Sequence, residues 1–386
     1  MLVDLASPKF WLLVTAATLV LTPLTHARCR RIAFAVVNLV FLWMMLHVEL
    51  LGLLAALIVL YGILQVMGRS RAWRWAAAVV LIVSSALFVA HKLPAVARQI
   101  GVAHLSPLLV AIGYSYVFLR LIDMSRAVWE KRHPPPDPLS LLNYLLPFHM
   151  LAAGPIQAFD DFIAQPAVPP ALNFEQSLTL IERIVQGLFK KYVLAFAVDA
   201  IFLFHGRAGG WYRLVEMNMT YVWLYLDFSA YSDIAVGVGG LMGVATPENF
   251  NRPYLARNIT DFWERWHISL SLWIRRNLFF PIQLSLARRT QGKYSLTCAS
   301  VAIFISFLLC GAWHGLTPPF FWWGVANGAG LVICNIYRQR LKKKLGAKGV
   351  NKYLANQPIR WLAMALTFEF VAFTIMLIAS KWGGTS

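Results

Sequence analysis

Two histidines, His267 and His314, and two carboxylates, Asp227 and Asp233, are the side chains of this sequence whose types and settings could do chemistry. His267 lies in DFWERWHISLSLWIRRN, Asp261 to Asn277, which carries four aromatics and three arginines. His314 lies in LLCGAWHGLTPPFFWWG, between Trp313 and Gly315 and ahead of Pro318-Pro319. Imidazole titrates near neutral pH, so two such groups suit proton transfer. Each also has a plain structural reading. A histidine at the border of a helix face can bond a carbonyl, and one at a helix end can simply sit at the membrane interface. Asp227 and Asp233 are six residues apart in an otherwise apolar run, so they fall on different helix faces and do not form an acid/base pair on one atom. Ser229, Tyr231 and Ser232 offer them local partners, and structural pairing is the reading favoured for both. Cys29, Cys298, Cys310 and Cys334 have no CxxC spacing, and nothing reads as a metal cluster, a nucleotide loop or a nucleophile elbow.

The elements that must hold these residues are membrane elements. Of 386 residues, 59% are hydrophobic and 13% charged, which favours the membrane class. The net charge of +18 is read as topology and attraction to anionic lipid, with no nucleic-acid role. Apolar runs at 10–25, 32–48, 50–67, 75–91, 105–121, 187–206, 217–244, 295–313, 319–337 and 359–380 predict an all-α polytopic protein of about ten transmembrane helices. The N-terminus, with Asp4 ahead of its first lysine, resembles a first span more than a cleaved signal. PLSLLNYLLPFHMLAAGPI, broken by Pro147 and Gly154-Pro155, reads as re-entrant or interfacial. Threading the spans puts every Lys and Arg on one side except Lys9, Lys92, Arg98, Arg207, Arg213 and Lys381. The loops at 26–31, 68–74, 120–138, 154–191, 245–294 and 338–358 are then cytoplasmic and both termini outside. PPPDP at 134–138 is a stiff linker. The basic run Arg338–Lys352 attracts anionic lipid or docks an acidic soluble partner.

Around His267 the expected element is one amphipathic helix along the cytoplasmic interface. Asn258 caps it, and Phe262, Trp263, Trp266, Leu270, Trp273 and Ile274 share a face. His267 falls about 40° from Trp263 on that helix. Gly311 and Gly315 let the backbone approach closely or let the helix break at His314.

GPIQAFDDF (154–162), YLDFSAYSDIAVG (225–237), the stretch PENFNRPYLARNITDFWERWHISLSLWIRRNLFFPI (247–282) and GAWHG (311–315) occur in this order. Together they resemble the membrane-bound O-acyltransferase family, and within it the bacterial branch of D-alanyl transfer proteins and alginate O-acetyltransferases. The resemblance implies a single integral-membrane domain over 1–386 with a motif core at 154–337. It implies a ring of helices about a thin centre, with a tunnel joining the cytoplasm to an outward funnel. His314 becomes the principal catalytic residue and His267 the second. Trp313, Trp263, Trp266, Asp227, Asp233, Glu248 and Asn249 become supports or tunnel residues. No cofactor is implied. The donor is a cytosolic thioester, on a phosphopantetheinyl carrier protein or as acetyl-CoA, and an extracytoplasmic partner can take part in transfer.

The expected activity moves D-alanyl, with acetyl close behind, to a hydroxyl of a cell-envelope polymer or partner protein at the bacterial cytoplasmic membrane. Two departures bear on the acyl group. Arg275-Arg276-Asn277 and Pro281-Ile282-Gln283-Leu284 stand where alginate-type enzymes carry Arg-Asp-Tyr and a Pro-Leu-Gly-Gly turn. The absent glycines fit the D-alanyl side better, while Arg276 in place of an acid fits neither. The rival reading from another class is a transporter or channel with histidine gating; no half-repeat supports it.

Overall fold

The computed structural model describes residues 5–67, 74–99, 101–203 and 210–379. Asp4, Arg207, Lys381 and residues 68–73 of the expected cytoplasmic loop lie outside the described residues. The described elements are helical, apart from one isolated bridge between Phe250 and Trp266. Among them five helices are long and apolar enough to cross a membrane: Ala27–Leu46, Glu49–Val66, Ser295–His314, Pro318–Ala355 and Gln357–Ala379. Pro8–Leu21 and Val79–Lys92 are shorter apolar helices. The chain is a multi-pass membrane protein.

Several expected spans take another form. The run at 105–121 is interrupted at Ile112-Gly113, where Gly113 adopts a left-handed backbone ahead of the helix Tyr114–Trp129. The run at 187–206 passes from Phe174–Phe189 through a π-helical stretch, Lys190–Ala195, to Phe196–Phe202. The basic run at 338–352 is not a loop. It continues the helix Pro318–Ala355, interrupted at Gly346 (φ 65°), and the Tyr337 and Tyr353 hydroxyls meet at 2.9 Å across that break.

The described chain divides into two compact units, one of residues 1–187 and 231–247 and the other of 188–230 and 248–386. The first solves the problem posed by the broken run after Pro138. Asp137 caps the helix Pro138–Leu145, accepting from the Leu139 and Ser140 amides. A 3₁₀ turn at Phe148–Met150 follows, and the Gly154-Pro155 bond is cis. Backbone that leaves the helix at membrane depth needs partners from the protein. Arg120, fully buried, supplies three bonds, donating to the carbonyls of Leu145 (3.2 Å), Met150 (3.0 Å) and Pro155 (3.0 Å). Asn38 Oδ1 accepts from the Phe148 amide at 3.0 Å, and the Tyr231 hydroxyl donates to the His149 carbonyl at 3.2 Å. In the same unit Arg183 pairs with Asp233 (3.1 Å).

The second unit holds both candidate histidines. Its helices Ser295–His314 and Pro318–Ala355 pack closely because small residues line the seam. A Cβ on Gly311 would strike the Phe320 carbonyl, and one on Gly324 would lie 2.7 Å from the Phe307 carbonyl. Glycine at such a seam lets two backbones approach and gain dispersion contact where lipid provides no hydrophobic drive.

Candidate active site

The helix expected from Asp261 to Asn277 is two helices. Ile259–Trp263 starts from Asn258, whose Oδ1 accepts from the Thr260 and Asp261 amides at 3.0 Å, as the capping pattern predicts. It ends after Trp263, and Ile268–Ile274 begins anew with His267 as its N-cap residue in a left-handed conformation (φ 43°, ψ 54°). That backbone is costly for a residue with a Cβ and persists only where its surroundings fix it. Here the segment 249–251 fixes it. The Asn251 amide donates to the Arg265 carbonyl (2.9 Å) and the Ile268 amide to the Asn249 carbonyl (3.0 Å), one pair on either side of the break. A π-helical turn, Arg275–Phe279, then leads into Phe280–Arg289.

The break also buries what a continuous interfacial helix would have left half-exposed. Phe262, Trp263, Trp266, Leu270, Trp273 and Ile274 are all buried, and His267 is 2% exposed. Asn249, 1% exposed, orients the imidazole. Its Oδ1 takes the Ser269 backbone N–H (3.3 Å) and the Ser269 hydroxyl (2.8 Å), which identifies this atom as the acceptor. His267 Nδ1, 3.0 Å from the same oxygen, is therefore a protonated nitrogen, and Nε2 is left as the ring's other edge. The Phe228 ring stands perpendicular to the imidazole at 4.8 Å.

His314 is the last residue of the helix Ser295–His314, with Gly315 extended behind it. The helix break allowed for at this position is present. Trp313 (4.6 Å), Trp323 (5.1 Å) and Phe320 (6.2 Å) surround its ring.

Both histidines line one cavity of about 80 Å³. Trp263, Trp266, Phe228, Trp323, Asn327 and Thr374 are among its walls. The structure thus brings together four residues singled out in the sequence, His267, His314, Trp263 and Trp266, with Asn249 directly behind His267. Trp313 is buried against His314 without lining the cavity. Asp227 and Asp233 do not line it; each is paired with a cation, Lys191 and Arg183, from 174–195. Glu248 is exposed and also lies outside the lining. Asn327, Trp323 and Thr374 were missed. A lone asparagine inside WWGVANGAG was the available signal, since a polar side chain within a span usually has a specific partner.

Two further cavities adjoin. One of about 180 Å³ shares Trp263 with the histidine cavity and reaches Arg275 and Arg338. The other, about 810 Å³, shares Thr260, Glu264, Asn335 and Arg338 with the second. Arg257, Arg265, Lys342 and Arg360 also line it. Asp261 pairs with Arg265 (2.6 Å) and Glu264 lies 3.7 Å from Arg275, while Arg257, Arg338, Lys342 and Arg360 have no carboxylate partner among the described residues. The second unit thus holds a cationic vestibule, a smaller chamber that shares four lining residues with it, and a histidine cavity that shares Trp263 with that chamber.

The family model of the membrane-bound O-acyltransferases matches residues 130–377. The chain belongs to that family. It is 31% identical over 252 residues to teichoic acid D-alanyltransferase of Bacillus subtilis, covering 62% of this chain and 61% of that one. It is 30% identical over 293 residues to teichoic acid D-alanyltransferase of Streptococcus thermophilus, covering 70% and 69%. It is also 31% identical over 277 residues to the probable alginate O-acetylase AlgI of Pseudomonas aeruginosa, covering 69% of this chain and 48% of that protein. The matched region therefore spans less than two thirds of the Bacillus protein and about half of the alginate one.

Proposed function

We propose that this protein is an O-acyltransferase of the bacterial cytoplasmic membrane. It moves a small acyl group, D-alanyl in preference to acetyl, from a cytosolic thioester to a hydroxyl on an extracytoplasmic polymer or partner protein. The observation that carries this reading is the series of adjoining cavities linking four unpaired cations to both histidines. A thioester on phosphopantetheine or on coenzyme A is anionic at one end and thin at the other. The cations of the vestibule attract the phosphate and steer the donor in, and the arm threads the smaller chamber toward the histidines. The names of the relatives, D-alanyltransferase and alginate O-acetylase, support small acyl groups and hydroxyl-bearing polymers.

In this mechanism His314 takes the proton of the acceptor hydroxyl as its oxygen attacks the thioester carbonyl. The carbon–sulfur bond then breaks, and the thiol leaves with a proton returned by the imidazole. A positioned base contributes about 10²–10⁴-fold. His267, with Nδ1–H held by Asn249, presents Nε2 to orient donor or acceptor groups. The aromatic walls keep water from the thioester. An acidic carrier protein fits the cationic face, and the acceptor arrives from the opposite side.

The test uses the purified chain in nanodiscs with radiolabelled D-alanyl-carrier and, separately, acetyl-CoA, and envelope polymers as acceptors. Label should move from one donor, and His314→Ala should slow transfer by about 10²-fold or more. Raising the salt should raise KM for the donor and leave kcat unchanged, because the steering charges face water. Transfer undiminished in His314→Ala would remove the general base from the mechanism. Transfer from neither donor would remove the activity.

A further inference from the structure

Among the described residues Trp263 is the one that lines both the histidine cavity and the 180 Å³ chamber on the Arg275–Arg338 side. Its indole, 6% exposed, therefore forms part of the wall between donor side and histidine side. Phe307 (4.9 Å, 67°), Phe262 (5.5 Å, 81°) and Trp323 (5.8 Å, 80°) meet this indole edge-on. Such contacts act on the ring as a whole and leave open where its N–H points. A hydrogen bond does not, and Trp263 makes one: its Nε1–H donates to Asn327 Oδ1 at 3.3 Å. Asn327 is itself fixed. Its Nδ2 donates to the Trp323 carbonyl one turn back at 3.0 Å, which turns Oδ1 toward the indole. It is 1% exposed, and its flanking Gly324 and Gly328 hold its helix close against Phe307 and Phe304. A buried amide in a membrane helix is costly unless its partners matter.

We infer that Asn327 is a positioning residue that locks Trp263 as the partition between the two cavities, and so sets how much thioester is lost to water. The inference rests on the acyltransferase reading. The partition has to admit a thin pantetheine arm while refusing the water that fills the cationic vestibule. Where the indole turns freely, water reaches the thioester carbonyl. Its oxygen bonds to the acyl carbon, the carbon–sulfur bond breaks, and the products are free acid and thiol in place of acylated acceptor. Asn327 acts on this partition through Trp263 and not on the reacting atoms.

The experiment measures, in nanodiscs, the ratio of acid released to acyl transferred from whichever labelled donor the wild type uses. Asn327→Leu keeps the side-chain volume near that of asparagine and removes the acceptor. Trp263→Phe keeps a ring and removes the donor. The ratio should rise about fivefold in Asn327→Leu, the factor expected for one hydrogen bond. It should rise at least as far in Trp263→Phe, and adding Asn327→Leu to Trp263→Phe should change nothing more. An unchanged ratio in Asn327→Leu, or a further rise when it is added to Trp263→Phe, overturns the inference. Melting in the same discs checks folding. If Asn327→Leu fails to fold, Trp263→Phe decides alone, and a wild-type ratio there overturns the partition. A wild type that transfers from neither donor sinks the acyltransferase reading, and the inference with it.

Discussion

Replacing Asn249 with alanine tests whether the break at His267 is held from outside its own helix. Asn249 Oδ1 serves three donors: His267 Nδ1–H at 3.0 Å, the Ser269 amide at 3.3 Å and the Ser269 hydroxyl at 2.8 Å. The hydroxyl can rotate to another acceptor, but the ring nitrogen and the backbone amide cannot. Asn249→Ala therefore takes this acceptor from two buried donors, at about 1–3 kcal/mol each. A water entering the space left by the amide would recover part of this, so the expected loss is roughly 2–4 kcal/mol. The imidazole is then free to turn and to exchange tautomers. A loss of 1.4–2.7 kcal/mol in transition-state positioning corresponds to about a 10- to 100-fold fall in transfer. The assay is transfer rate together with thermal unfolding in nanodiscs, for Asn249→Ala, His267→Ala and the double variant. His267→Ala already removes the ring donor, so the pair should be non-additive by about 1–3 kcal/mol. Wild-type melting and rate in Asn249→Ala, or strict additivity in the cycle, would refute the reasoning.

Arg120→Met should cost about 3 kcal/mol or more, because three buried carbonyls between Leu145 and Pro155 lose their donor at once; size-exclusion profiles and melting of the extracted protein check it. The contact between Arg31 and Asp137 gives a pH signature. Burial pushes the Asp137 carboxyl up, but hydrogen bonds from Arg31 and Ser140 and the Arg31 charge outweigh this and hold it below the usual value. A carboxylate depressed in the folded state contributes stability that is present above its unfolded pKa and lost as pH falls through the folded one. Melting temperature should therefore drop on acidification below about pH 4. In Asp137→Asn, which keeps a capping side chain and loses the charge, that part of the slope should vanish.

How much of this could be read from the sequence depended on the range of the interaction. The cap at Asn258 is local: an acceptor side chain meets amides two and three residues on, and it formed as expected. The end of the helix at His314 is local too, since Gly315 and the following prolines disfavour continuation. The apolar face from Phe262 to Ile274 was legible as a buried set, yet the helix carrying it was not continuous. Nothing between Asp261 and Asn277 marks the left-handed turn at His267. Its compensation comes from Asn249, eighteen residues earlier, and from an antiparallel bridge that hydropathy cannot register. Arg120 was hidden for the same reason. Within VFLRLIDM it looks like the edge of a loop, and only the fold brings Leu145, Met150 and Pro155 to it. Asp233 is structurally paired, as favoured, but its partner Arg183 lies fifty residues back, beyond what spacing can show.

Both histidines stand at helix breaks, and this follows from the demands of the cavity. In an unbroken helix successive side chains radiate at about 100° steps, so one apolar face cannot also aim a ring out of its own register. At His267 the left-handed residue resets that register, and Trp263 and Trp266 line the same wall as the imidazole. At His314 the helix stops, and the ring reaches Trp323 of the next helix, whose approach Gly311 and Gly324 permit. Each break exposes backbone that must find partners. The segment 249–251 supplies them for the first break, while Gly315, whose amide still bonds the Gly311 carbonyl at 3.0 Å, closes the second. A variant that straightened either helix would keep every named side chain and still separate the two imidazoles from their common cavity. The shared cavity therefore depends on where the helices fail to continue as much as on which residues they carry.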